Sequence, residues 1–171
     1  MAKVIAIANQ KGGVGKTTTS VNLAASMGAT DRRVLLIDLD PQGNATMGCG
    51  VNKNDLELSL LDVMLLEATA EEAIVSTDHG FDILGSNADL TAAEVELMKA
   101  SQREYRLQEI LKPLQSKYDY VLIDCPPALN SLTLNALVAS DSVLVPMQCE
   151  YYALEGLASL MNTVEQIAEH L

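Results

Sequence analysis

The run Arg33-Val34-Leu35-Leu36-Ile37-Asp38-Leu39 is apolar at every position from Val34 to Ile37. A strand with one face in water would alternate polar and apolar residues, so this one needs cover on both faces. A parallel sheet with helices packed on each side meets that need, and the rest of the chain supplies the pieces. Lys3 to Ala8, Phe81 to Leu84, Tyr118 to Asp124 and Ser142 to Met147 read as four more short strands. Between them, Thr17 to Met27, residues 56 to 76 (one or two short helices), Leu90 to Met98, Tyr105 to Leu114 and Leu129 to Ala139 read as helical. Leu154 to Leu171 ends the order as an amphipathic helix, with Leu154, Leu157, Ala158, Met161, Val164, Ala168 and Leu171 on one face. The alternation predicts an α/β fold of three layers, a mostly parallel sheet flanked by helices on both faces. A length of 171 residues, 49% of them hydrophobic, predicts a single domain over 1–171.

Charge and cysteine content narrow the classes of function. The net charge is -12, and its distribution is uneven. Between Asn54 and Met98 there are eleven acids and no Lys or Arg, and between Tyr118 and Leu171 seven acids and again none. Nucleic-acid binding needs cations to neutralise phosphates, so only residues 1 to 53 and 99 to 117 offer a basic surface. Cys49, Cys125 and Cys149 are odd in number and lack C-x-x-C spacing, which predicts reduced thiols rather than a disulfide framework or a zinc site. No apolar run reaches the ~18 residues that span a bilayer, and a cytoplasmic location is expected.

The chemistry is concentrated in Asn9-Gln10-Lys11-Gly12-Gly13-Val14-Gly15-Lys16-Thr17-Thr18, which follows the first strand and opens the first helix. A glycine-rich loop in that position turns unpaired backbone N–H groups and the positive end of a helix dipole toward one point, which suits a chain of phosphates. The expected site is a P-loop: Gly12, Gly13, Val14 and Gly15 wrap the phosphates, Lys16 reaches the β and γ phosphates, Thr17 ligates Mg²⁺, and Thr18 continues the binding turn. Two features depart from G-x-x-x-x-G-K-[ST]. Gln10 replaces the first glycine, and Lys11 adds a second lysine. A dinucleotide fingerprint fits less well: Gly13-Val14-Gly15 supplies G-x-G, but Thr18 stands where its last glycine belongs.

Ligands in such folds bind at the carboxyl ends of strands, so acids there are candidates. Asp124, after Val121-Leu122-Ile123, is expected to hold the Mg²⁺ through a water. Asp40 is expected at the metal site too, orienting the attacking water or acting as its general base. Asp38 shares the face of Asp40, either as its partner or as a structural residue.

The loop Lys11-Gly12-Gly13-Val14-Gly15-Lys16-Thr17, the segment Asp38-Leu39-Asp40-Pro41-Gln42-Gly43-Asn44, the strand end Asp124-Cys125-Pro126-Pro127 and the run Pro146-Met147-Gln148-Cys149-Glu150-Tyr151-Tyr152-Ala153-Leu154-Glu155-Gly156 together resemble the ParA/Soj family of partition ATPases. That family belongs to the deviant Walker A group of P-loop NTPases, with MinD and the nitrogenase iron protein. The resemblance covers nearly the whole chain in collinear order. It implies ATP and Mg²⁺ as cofactors, slow hydrolysis, and a homodimer formed on ATP binding. It also implies a ParB-type partner protein in chromosome or plasmid partition. By the same resemblance Lys11 is the signature lysine that reaches the phosphates of the other subunit. Gly12 lies at the close approach of the two subunits, Asp40 is needed for hydrolysis, and Asp124 takes the Mg²⁺-linked position.

Members of the family are longer, and the part beyond the last helix carries basic residues for non-specific DNA binding. This stretch is therefore expected to be shortened at its carboxyl end and to bind DNA weakly or not at all; association with the nucleoid would need that part. Two other classes remain open. A MinD-like membrane-cycling ATPase needs a basic amphipathic helix at its carboxyl end, and Leu154 to Leu171 contains no Lys or Arg. A metallocluster protein like the nitrogenase iron protein would use cysteines such as Cys125 and Cys149, although buried inert thiols suit those positions better.

Overall fold

The computed structural model describes residues 1–97, 101–149 and 153–170. Among them, six strands form one sheet in the order β3-β4-β2-β5-β1-β6. These are β1 (Lys3–Ile7), β2 (Val34–Asp38), β3 (Ile74–Ser76), β4 (Asp82–Leu84), β5 (Tyr120–Asp124) and β6 (Ser142–Leu144). Every pairing is parallel except that of β3 with β4. The two fully covered central strands are β2 and β5. They run side by side in register from Val34 opposite Tyr120 to Asp38 opposite Asp124.

The absence of alternation in β2 is explained by two separate cores. Val34 and Leu36, with Leu122 of β5 and Ile7 of β1, pack beneath helices α1 (Lys16–Gly28) and α2 (Asn44–Gly48) through Ala24, Ala45 and Cys49. Leu35 and Ile37, with Val121 and Ile123, face the other way. There they meet α3 (Leu60–Met64), α4 (Ala70–Ala73), α5 (Thr91–Leu97), α6 (Arg106–Leu111), α7 (Ser131–Ala139) and α8 (Ala153–His170). The expected three-layer arrangement is therefore present.

Local chemistry sets the helix boundaries. The short helices α3 and α4 each begin with a capping box, Ser59 with Asp62 and Thr69 with Glu72, and such a cap typically contributes about 1 kcal/mol. Pro113 sits in a 3₁₀ turn, Lys112–Leu114, that closes α6, because proline cannot donate the next helical hydrogen bond.

Three expectations need correction. Ile74–Ser76 lies inside the stretch expected to be helical and instead forms β3, the antiparallel edge strand, so there are six strands rather than five among the described residues. The apolar face of α8 is Leu160, Val164 and Ile167, which contact the core, whereas Ala158, Met161 and Ala168 of the expected face are exposed. The side chain of Leu154, and Leu171 and Met98 altogether, lie outside the described residues. Third, Leu129 and Asn130 precede α7 rather than belong to it, since the Asn130 side chain accepts from Thr133 N–H as the amino-terminal cap.

Candidate nucleotide-binding site

The loops that leave β1, β2 and β5 open at one end of the sheet and enclose a cleft of about 440 Å³. Gly12, Gly13, Gly15, Lys16, Thr17 and Thr18 line one wall, Asp40, Gln42 and Asn44 the other, and Pro127 closes it. Val14 is buried and turns away from the cleft. Gly13 and Gly15 have φ of 73° and 90°, backbone that other residues adopt only with strain. Gly15 is also the amino-terminal cap of α1, so no side chain satisfies the first N–H groups of that helix, and no acid stands in its first turn. A Cβ at Gly12, Gly13 or Gly15 would meet nothing within 4 Å. The loop is thus a ring of backbone around open space, not glycine packed against protein.

Lys16 is nearly buried, and its Nζ donates to the carbonyl of Lys11 at 3.0 Å. Burial lowers its pKa, against the opposing pull of Asp124 and Asp40. Lys11 N–H donates to Asn9 Oδ1 at 3.0 Å, and Asn9 Nδ2 donates to the carbonyl of Pro146 at 2.8 Å, just past β6. Gln10, in the place of the usual first glycine, donates through Nε2 to Ser159 Oγ of α8 at 2.9 Å. Gln148 Nε2 reaches the Gly13 carbonyl at 3.3 Å. The loop is therefore fastened to the chain just past β6 through Asn9 and Gln148 and to α8 through Gln10, and only the last tie is one that glycine at position 10 could not make.

Asp124 is fully buried at the end of β5. Thr17 Oγ1 donates to its Oδ2 at 2.8 Å, and Ser20 Oγ lies 2.8 Å from its Oδ1. Ser20 Oγ is also 2.9 Å from the Lys16 carbonyl, and its one hydrogen can serve only one of these acceptors at a time. Burial raises the Asp124 carboxyl to about 6, partly offset by the two hydroxyls. Asp40 is half-buried and directs its Oδ1 toward Gln42 N–H at 2.9 Å.

Asp38 proves to be no part of the cleft. It is fully buried, its Oδ2 accepts from Thr46 N–H at 2.8 Å and Thr46 Oγ1 at 2.7 Å, and burial raises its pKa to about 7. Its alternation with Asp40 is real but stops mattering once the chain turns after Leu39. Ser20 is a site residue that sequence reading misses; its signal is the spacing Lys16 to Ser20, one helical turn on the face that meets β5.

These residues fit a magnesium nucleotide. An uncapped helix end, a glycine-rich loop, a buried lysine and the Thr17 hydroxyl converge on one cleft, with the buried Asp124 carboxylate directly behind Thr17, and hard oxygen donors suit Mg²⁺. The cysteines do not converge: Cys49 and Cys125 are buried free thiols and Cys149 is exposed. Among the described residues no group of three or more His, Cys, Asp or Glu could hold a metal ion.

Comparison with known proteins agrees with this geometry. The family described as "AAA domain" matches residues 2–171. Soj of Bacillus subtilis, a sporulation initiation inhibitor protein, is 52% identical over all of this chain and 68% of its own length. The chromosome partitioning protein ParA of Myxococcus xanthus is 48% identical over all of this chain and 61% of its own length. This chain belongs to the ParA/Soj family. It spans about two thirds of the length of the curated relatives it matches. The crystal structure of a Mycobacterium smegmatis protein named cobyrinic acid a,c-diamide synthase, with bound ADP and magnesium, superposes with a TM-score of 0.96 at 43% identity. That match covers 99% of this chain and 69% of the other. The names of these proteins describe different activities on one P-loop fold, so in the ParA/Soj family the site, not the fold, has to identify the reaction. Among the described residues no helix is long and apolar enough to cross a membrane.

Proposed function

We propose that the protein is a Mg-ATP-dependent switch ATPase, a single domain over 1–171 that dimerises with nucleotide bound and acts in chromosome or plasmid partition with a ParB-type partner. The observation that carries the reading is the cleft itself, where the bare loop, buried Lys16 and the Thr17–Asp124 pair converge at the uncapped end of α1. Family membership and the magnesium nucleotide in the M. smegmatis structure support it.

In this reading Gly12, Gly13, Val14, Gly15 and Thr18 form the phosphate cradle, and Lys16 leaves the Lys11 carbonyl to meet the β and γ phosphates. Thr17 and Asp124 hold the metal, Asp124 through a water, and Ser20 holds Asp124. Magnesium, when bound, screens the phosphate charge that opposes attack. Asp40 reaches the metal site and either orients the attacking water or acts as its general base. Lys11 acts on the neighbour's phosphates, as an arginine finger would. Gly12 is compatible with that role. Its φ is not positive and a Cβ added there would meet no atom within 4 Å, so the chain's own packing does not require glycine at this position. A phosphate in the cradle or a second copy approaching closely would. The reading includes a cytoplasmic location, with nucleoid association and non-specific DNA binding only where a basic region is joined to this stretch.

The test is nucleotide binding, phosphate release and light-scattering mass for wild type, Lys16→Ala and Lys11→Ala. Wild type should turn over slowly, faster with a ParB-type partner, and double its mass with a non-hydrolysable nucleotide. Lys16→Ala should bind at least about a hundredfold more weakly, as expected for truncating a buried charged contact. Lys11→Ala should bind normally as a monomer and fail to hydrolyse. Equal loss of affinity in the two variants would defeat the cross-subunit role.

A further inference from the structure

The loop that carries Asp40 is held by polar residues that the core does not need. Asp38, Thr46 and Ser86 come from β2, α2 and the turn after β4, and all three are fully buried. Burying polar groups is unfavourable unless each finds a partner, and here the partners lead to Asp40. Asp38 Oδ1 accepts from Asp40 N–H at 3.2 Å and its Oδ2 accepts from Thr46 Oγ1 at 2.7 Å. Thr46 Oγ1 accepts from Ser86 N–H at 3.0 Å, and Ser86 Oγ donates to the Asp40 carbonyl at 2.7 Å. With Asp38 ionised each polarity is fixed. A carboxylate can only accept, so Thr46 passes its own hydrogen to Asp38; a carbonyl can only accept, so Ser86 must donate to Asp40.

We infer that Thr46 and Ser86 are positioning residues for hydrolysis: with Asp38 they close a buried ring around the backbone N–H and carbonyl of Asp40 and fix where its carboxylate points. The ring leaves the phosphate loop untouched. Its contribution is to the geometry of attack and not to nucleotide affinity, because small misplacement of a catalytic group lowers rate while the binding contacts persist. The inference rests on Asp40 being the residue that acts on the attacking water.

The test compares Ser86→Ala, Thr46→Val, Thr46→Ser and Asp40→Ala in the full chain, measuring kcat, nucleotide affinity and Tm. Ser86→Ala and Thr46→Val should lower kcat by at least about tenfold with affinity within about twofold of wild type, and Thr46→Ser, which keeps the hydroxyl, should restore most of the rate. Amide exchange of Gln42 and Gly43, whose N–H groups bond to Asp40, gives a readout independent of turnover. It should quicken about tenfold in Ser86→Ala and stay unchanged in α1. Wild-type kcat or unchanged Gln42 and Gly43 exchange in Ser86→Ala, with Asp40→Ala inactive, would overturn the positioning role alone. Parallel loss of kcat, affinity and Tm, with Thr46→Ser as impaired as Thr46→Val, would reduce the ring to a folding element. Normal turnover in Asp40→Ala would instead overturn the underlying reading of Asp40.

Discussion

β2 and β5 end alike. Leu-Leu-Ile-Asp and Val-Leu-Ile-Asp lie side by side in register, each closes on a fully buried aspartate, and both carboxyls face the layer of α1 and α2. Their surroundings divide them. Asp124 lies under α1, whose Thr17 and Ser20 hydroxyls belong to the helix that opens the nucleotide cleft. Asp38 lies under α2, where Thr46 consumes one oxygen twice and Asp40 N–H takes the other. One acid can trade a hydroxyl for a metal, and the other is committed to holding a turn. Identical strand endings therefore say where a carboxylate sits, and the helix laid over it says what the carboxylate can do.

Substituting each acid in turn tests whether that division is real. The largest expected effect is at Asp124→Asn, with phosphate release falling at least about a hundredfold and Tm held or raised, because a buried carboxylate becomes a neutral amide. A turnover loss matched by a collapse in Tm would make Asp124 structural as well. Asp38→Ala should differ by costing stability as well as turnover, because the ring that holds Asp40 opens. It strands the Thr46 N–H, the Thr46 hydroxyl and the Asp40 N–H, and denaturant unfolding should register a cost of about 3 kcal/mol with nucleotide affinity nearly unchanged.

A pH series separates the two acids by a different route. Both carboxyls hold their proton more tightly in the folded state, Asp38 with a pKa raised to about 7 and Asp124 to about 6. The folded state then binds more protons than the unfolded state between the ordinary carboxylate range and those values. Stability from this source is fully present below about 4 and is lost as pH rises through about 6 and 7. Thermal melts should therefore show the nucleotide-free protein gaining stability from about pH 7.5 to about pH 5.5, with a flatter slope in Asp38→Asn. The smallest effect is expected at Ser20→Ala, about 1 kcal/mol in unfolding and a modest fall in turnover, since Thr17 still contacts Asp124.

The strands are legible in the sequence wherever burial on both faces writes an unbroken apolar run, as in Val34 to Ile37. Ile74-Val75-Ser76 escapes because three residues after a capped helical turn are too few to carry a period, and an edge strand buries only part of itself. The face of α8 is ambiguous because Leu157, Leu160, Met161, Val164 and Ile167 allow two overlapping stripes, and only contact with the core selects Leu160, Val164 and Ile167. At the site, Lys16, Thr17 and the glycines are readable because backbone chemistry dictates their spacing. Thr46 and Ser86 are not, since they meet Asp40 across folds of chain that no local pattern encodes.

Gln10 sits where the loop leaves β1, yet its side chain ends on Ser159, a third of the way along α8. At ~1.5 Å per residue that helix is a rod of roughly 27 Å. The replaced glycine thus ties the start of the phosphate loop to one point on that rod, beside the ties that Asn9 and Gln148 make between the loop and the chain past β6.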